Sequence, residues 1–378
     1  MPASNAGDDA MAALGLGGDR HDTTFYAPRY RVTVGGKELH EKGSDFLSVQ
    51  FKDSIKELSS FELTLNNWDD GSDGGRPGFK YSDDEKVITL GQRVTIEMGY
   101  NDAPALASMM TGEIISFDPQ FPSSGAPTIS IRGVDRLHRM RNNPKSRSWK
   151  GKTDSAIAQK IADEHQMQCK ADDTALVQPV IPQDNVDDLA FLLERAKRIN
   201  FEVFVRDDVL YFVRTREGQQ PALKLEWGTS LISFSPSLTL TKQVSKVTVR
   251  SWHPKEGRLI QKTAERSKIA ALSGGGKNAG QVLVEALGEP KEEVITSEQV
   301  LSDEDAERLA ESVLLRSSYA SVTGQGQTVG LPGLRAGVNI ELAGLGKRFD
   351  GTYYVTESTH RIDGGGYSTS FSVRKVYV

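Results

Sequence analysis

Cysteine is nearly missing from this chain of 378 residues, in which Cys169 is the only one. A single thiol excludes a disulfide within the chain and any cluster of thiolate metal ligands. Nothing around it marks a low-pKa nucleophile, so it reads as a buried or half-buried residue following a helix. Long hydrophobic runs are missing too, and none approaches the roughly 18 apolar residues that a membrane helix needs. The first residues include Asp8, Asp9 and Asp19 and lack a basic start before an apolar core, unlike a secretory leader. There is no surplus of base: 46 Lys and Arg stand against 51 Asp and Glu, a net charge of −5. That balance argues against sequence-wide nucleic-acid binding.

Recognisable reaction chemistry is equally scarce. The six histidines, His21, His40, His138, His165, His253 and His360, show neither an HExxH pattern nor a close pair. No GxSxG nucleophile elbow occurs. Gly274 to Lys277 read GGGK without the remaining residues of a phosphate loop, and Gly324-Gln-Gly326 opens no strand-to-helix unit. The carboxylate pairs Asp187/Asp188 and Glu292/Glu293 lie in polar stretches and read as solvated surface. His360 lies in an alternating strand and reads as a packing or surface residue. The expectation is a non-enzyme with no catalytic, cofactor-binding or metal-binding residue.

What is present is period-two alternation, in a chain that is 37% hydrophobic and 26% charged and so able to bury cores. Residues 1–23 read as a flexible arm. Residues 24–141 hold closely spaced strands, among them Tyr30/Val32/Val34, Leu47/Val49/Phe51, Phe61/Leu63/Leu65 and Val94/Ile96/Met98, with polar gaps between them. A basic stretch with Arg136, Arg139, Arg141, Lys145, Arg147 and Lys150 reads as a solvated linker face. Residues 142–222 read as an α/β insert, with a helix capped by Thr153 or Asp154. A second helix follows, capped by Asp184 or Asn185, with Leu189, Leu192, Leu193, Ala196 and Ile199 on one face. A hairpin from Phe201 to Val213 turns at Arg206-Asp207-Asp208. In residues 223–378 strands resume around a polar loop at 262–300 and a helix at 302–316 opened by Ser302.

The two β regions echo each other. Val94-Thr-Ile-Glu-Met98 matches Val338-Asn-Ile-Glu-Leu342, the strand opened by Gly112 matches that opened by Gly351, and Ile129-Ser-Ile-Arg132 matches Phe371-Ser-Val-Arg374. Order and spacing are nearly kept. The expected fold is mainly β, with two tube-like antiparallel β-barrel domains related by internal duplication plus the α/β module. Three copies of such a chain make a ring of six similar units.

The helix-hairpin unit of Ile181 to Arg214, with Gly351-Thr-Tyr-Tyr-Val-Thr-Glu-Ser-Thr-His-Arg-Ile362 and Gly366-Tyr-Ser-Thr-Ser-Phe371, resembles the phage late control gene D family. That family shares its fold with the N-terminal half of VgrG spike proteins. The resemblance covers roughly residues 24–378, more loosely in the first β region. It implies a homotrimeric baseplate hub of a contractile tail or injection system, adapting a six-fold inner tube to a three-fold spike. Implied partners are a separate spike protein, the inner tail tube protein and other baseplate proteins, tape measure included, with no sequence-specific nucleic acid and no stable membrane insertion. The chain would be made in the bacterial cytoplasm and assembled into a virion tail or injection particle. No β-helix repeats follow the last strand, so the spike is expected to be a separate polypeptide. Net charge suggests an acidic lumen. Two other readings stand beside this one: a baseplate peptidoglycan hydrolase, and a receptor- or carbohydrate-binding tail-tip module, for which the four tryptophans look widely scattered.

Overall fold

The computed structural model describes residues 27–39, 45–71, 77–82, 88–101, 103, 105–239, 243–265, 284–285, 288 and 291–377. The expected arm and the GGGK turn lie outside them.

Alternation builds the first half. β1 (Pro28–Val34) turns through Gly35 and Gly36, at φ of +58° and +83°, into β2 (Lys37–Glu38). Then come β3 (Phe46–Ser54), β4 (Ser60–Asn66), the short β5 (Trp68–Asp69) and β6 (Gly78–Phe79), β7 (Arg93–Tyr100), β8 (Ala107–Gln120) and β9 (Thr128–Val134). Successive side chains of a strand point to opposite faces, so the apolar phase forms one core: Val49, Phe51, Leu63, Ile96, Met98 and Ile131 are all buried in it.

The insert follows a 3-10 turn, Arg136–Met140, with β10 (Lys145–Lys152), α1 (Asp154–Glu164), β11 (Gln168–Ala171), β12 (Gln178–Val186), α2 (Asp188–Arg198), β13 (Phe201–Arg206) and β14 (Val209–Arg214). Thr153 caps α1 by accepting from the Ala156 N–H. α2 is capped by Asp187, whose Oδ1 accepts from the Ala190 N–H at 2.8 Å, and not by Asp184 or Asn185, which extend β12 instead. Asn200, at φ +56°, ends the turn after α2, and Asp207 and Asp208, at +47° and +66°, make the hairpin turn. Ile157, Ile161, Leu192, Leu210 and Phe212 share a separate core.

The second half holds β15 (Leu223–Glu226), β16 (Leu231–Leu238), β17 (Lys246–His253), β18 (Arg258–Glu265), β19 (Glu292–Ile295), α3 (Asp303–Ser318), β20 (Val322–Val329), β21 (Asn339–Ala343), β22 (Gly351–Asp363) and β23 (Gly366–Lys375). Ser302 caps α3, accepting from the Asp305 N–H at 3.0 Å, and Ala306, Leu309, Ala310 and Leu314 pack against Val247, Val249 and Ile260. The loop expected at 262–300 is shorter at both ends. Its first residues finish β18 and its later ones form β19, antiparallel and parallel partners on the two sides of β17. These strands lie on a side sheet of β18, β17 and β19.

The two halves share one 13-stranded sheet, in the order β16-β20-β23-β22-β3-β4-β9-β8-β7-β1-β2, with β21 and β15 joined through β22. Among the described residues this path has two ends, and no strand pairing that would close either half into a barrel is seen. Repetition is visible in the pairing. β7, β8 and β9 form an antiparallel meander, and so do β21, β22 and β23. Each middle strand carries a bulge against its third strand, after Ile114 in β8 and after Val355 in β22. Just before the bulge, Ile114 donates its N–H to Gln92 O and accepts at its carbonyl from Gly91 N–H. Val355 does the same with Val338 and Gly337.

Candidate functional site

Beyond its bulge β22 exchanges partners, leaving β21 for β3, with Ser358 opposite Asp53 and Ile362 opposite Val49. This seam joins the two halves, and it contains charge where alternation calls for apolar residues. Asp53 continues the inward phase of Val49 and Phe51 and is buried. Arg335 Nε donates to Asp53 Oδ2 at 2.8 Å, Nη2 to Met109 O at 2.8 Å and Nη1 to Ser108 O at 3.3 Å. Its guanidinium carbon lies 4.8 Å from the Phe51 ring centre, so one side chain from the second half is held by two strands of the first. Burial raises the Asp53 carboxyl, but Arg335 and Arg206 outweigh it and hold the group below the usual carboxylate range.

His360 adjoins this pair and is fully buried, a packing residue rather than a surface one. Nε2 lies 3.0 Å from Leu334 O, a group that only accepts, so Nε2 carries the proton. Nδ1 then accepts from Tyr367 or Thr369, at 3.0 and 3.1 Å. Burial and the Arg335 charge push its pKa down to about 3, leaving it neutral. Asp135 accepts N–H bonds from Ser59 and Leu137 at 2.8 and 2.9 Å, yet burial raises it to about 7. The space among these groups is about 20 Å³, too small for any substrate.

The insert is fastened to both halves. Arg206 donates to Ala336 O at 2.7 Å, Asp208 pairs with Arg93 at 2.5 Å and Asp207 accepts from Ser108 Oγ at 3.1 Å. On the other side Glu202 accepts from Tyr354 OH at 2.6 Å, and Arg374 donates to Glu217 at 3.0 Å while its guanidinium carbon lies 3.6 Å from the Tyr319 ring centre.

The basic stretch and the acidic pair are both corrected in part by the structure. Arg139, Arg141 and Lys150 are exposed, as a solvated face requires, but Arg136, Lys145 and Arg147 are half-buried and paired, and Asp188 is not solvated. Asp188 is 1% exposed and receives Lys145 at 2.6 Å, Arg147 at 2.8 Å, His165 at 2.8 Å and Gln183 at 2.9 Å, which binds β10 and α1 to the start of α2. Arg136 reaches Asp208 and Arg139 reaches Glu113. Glu292 and Glu293 are exposed on β19. Cys169 lies half-buried in β11, where burial pushes its thiol up to about 11, away from reactivity. Gly324 and Gly326 are explained by packing: a Cβ on either would come within 2.4 Å of the Phe234 or Phe371 ring. Among the described residues no three His, Cys, Asp or Glu side chains gather as a metal site requires.

The seam was missed in the sequence, although a signal existed. Asp53, Ser358 and His360 all stand in the buried phase of their strands, where a polar group needs a buried partner. The opposite face of the shared sheet is open and polar. Ser235, Gln325, Gln327, Thr359 and Ser370 line a shallow groove of about 400 Å³. Lys52 pairs with Glu357 at 3.1 Å, and Arg132 pairs with Asp118, so this face is mixed in charge rather than acidic.

Comparison with solved structures shows the fold. A 43 kDa tail protein of prophage MuSo2 from Shewanella oneidensis aligns at TM-score 0.69 and 16% identity, over 92% of this chain and 98% of that one. A tail protein from Neisseria meningitidis aligns at TM-score 0.66 and 12% identity, over 93% and 98%. The Escherichia coli c3393 protein, described as a component of the type VI secretion system with structural similarity to phage T4 tail proteins, aligns at 0.57 and 13%, over 92% and 77%. No curated protein sequence matches. The sequence family that does match has a different description from the late control gene D family that the motifs resemble. Residues 26–364 match the model of the Alg8 N-terminal domain, and the chain belongs to that family.

Proposed function

We propose that this protein is a structural, non-catalytic hub of a contractile-tail baseplate or a related injection machine. Three copies form a ring of six similar β units, which fits a six-fold tube on one side and a three-fold spike on the other. The observation that carries this reading is the doubled meander fused into one sheet through the β3–β22 seam. A chain holding two equivalent units is what converts three-fold into near-six-fold symmetry. The tail proteins whose fold it shares support the reading. The open polar face would be the channel wall, its small Ser, Thr and Gln side chains offering passing cargo little to bind.

Charged groups in the seam act as braces. Asp53 and Arg335 are buried and satisfy each other together with Ser59, Ser108 and Met109, while Arg206 Nε is left without a partner; such pairing suits a part that bears load more than one that turns over a substrate. Light scattering on the chain alone, and co-expressed with a spike partner, tests the proposal. A mass near 124 kDa, three times 41.4 kDa, is expected in at least one condition. A monomer in both would overturn it, and lysis of cell-wall suspensions by the pure protein would favour the hydrolase reading.

A further inference from the structure

Within one chain, the strand segment beyond the β22 bulge is covered by β3. Its counterpart beyond the β8 bulge, from Ile115 onward, pairs with β9 on one edge, and among the described residues no strand covers the other. β3 also has a counterpart. β3 pairs with β4 through a bulge between Phe46 and Ser48, and β16 pairs with β20 through a bulge between Leu231 and Ser233. β3 is covered by β22, whereas β16 is the end of the sheet. The repeated fold therefore leaves one of each: an uncovered β8 segment and an uncovered β16.

We propose that these two edges are the contact between copies, β16 of one protomer docking on the Ile115–Phe121 edge of the next and reproducing the β3–β22 seam. The inference rests on the hub reading for the number of copies, but not for the surfaces. Matching Ile114 to Val355, and the β16 bulge to the β3 bulge, transfers the register. Ser358 opposite Asp53 becomes Phe117 opposite Leu238, and Ile362 opposite Val49 becomes Phe121 opposite Phe234.

Side chains support the docking independently. Ile115, Phe117 and Phe121 are 49%, 41% and 59% exposed, and Ile232 and Leu238 are 56% and 38% exposed. The transferred register thus places exposed Phe117 against exposed Leu238 and exposed Phe121 against half-buried Phe234, while Ile115 and Ile232 flank the paired segment as further exposed apolar side chains. Phe121 continues into an aromatic row with Phe79 and Trp68, at centroid distances of 5.1 and 5.6 Å, which extends the same patch. Pro119 and Pro236 fall opposite each other. Each blunts its edge in the lone chain, and together they leave the docked ladder short of donors at its middle. Contact therefore depends on the apolar side chains more than on main-chain bonds. The two surfaces differ, so the contact is head-to-tail and generates a closed ring or a filament.

The test is a chain carrying Phe117→Cys with Leu238→Cys. In a single chain β16 and β8 are seven steps apart in the sheet order and are not paired, and a bridge between copies is told from one within a chain by its mass above 41.4 kDa. Oxidation should give covalent dimers and trimers from the double variant and none from either single variant. A second variant, Phe121→Glu, should shift the mass toward 41.4 kDa with an unchanged circular dichroism spectrum. A trimer that neither cross-links nor responds to Phe121→Glu would overturn the inference and leave the hub reading standing. A chain that never associates would overturn both.

Discussion

Arg335 donates to one carboxylate and two carbonyls, all on the opposite half of the molecule, so its loss strands a buried charge. Arg335→Met should destabilise the protein by about 3–5 kcal/mol in chemical denaturation, because Asp53 keeps only the neutral Ser59 hydroxyl at 3.2 Å and the more distant Arg206 at 3.9 Å. Combining it with Asp53→Leu should recover much of that loss. A single variant as mild as a surface substitution would contradict the brace. His360 gives a pH signature. Its folded pKa lies below the ordinary 6.5, so its contribution is complete above pH 6.5 and is lost as pH falls toward 3. Asp135, raised to about 7, has the opposite sign and loses stability as pH rises through 7. His360→Gln should therefore flatten the fall in melting temperature between pH 6.5 and 4, and an unchanged slope would contradict a buried neutral imidazole. Residue types at single sites were only half legible. The apolar phase told that position 53 faces inward, but not which distant group neutralises the charge there, since Arg335 lies far along the sequence.

At the scale of elements, the helices and the central hairpin were legible because their signals are local: Thr153 and Ser302 as caps, apolar faces at three- and four-residue spacing, and two Asp residues at a turn that needs positive φ. The start of α2 was misplaced by two or three residues, since Asp184, Asn185, Asp187 and Asp188 are all competent caps and only the pairing of β10 with β12 decides among them. Asp187 and Asp188 are neighbours with different work, and substitution separates them. Asp187→Ala removes one cap bond and should cost about 1 kcal/mol. Asp188→Ala leaves Lys145, Arg147 and His165 converging on an empty centre, and should cost clearly more, about 3 kcal/mol, in the same denaturation experiment. Equal losses would contradict the clamp. The parallel pairings of β11 with β14, β15 with β21 and β17 with β19 were not legible, because nothing local in a short strand specifies a partner reached through a long connection.

At the scale of the molecule, the repeat could be read from three short matches because duplicated strands keep their alternation and their spacing. The fusion of both halves into one sheet could not. It depends on β22 exchanging β21 for β3 at a bulge, and a bulge is one extra residue that leaves no mark on composition. That exchange also explains why the lone chain ends in an uncovered β16. End-on electron-microscopy averages of the purified full chain, or of the chain with its spike partner, test the central claim most directly. The account predicts a closed ring of six similar lobes around an open channel, with true three-fold symmetry. Compact particles without a channel, or lobes in any number other than six, would contradict it.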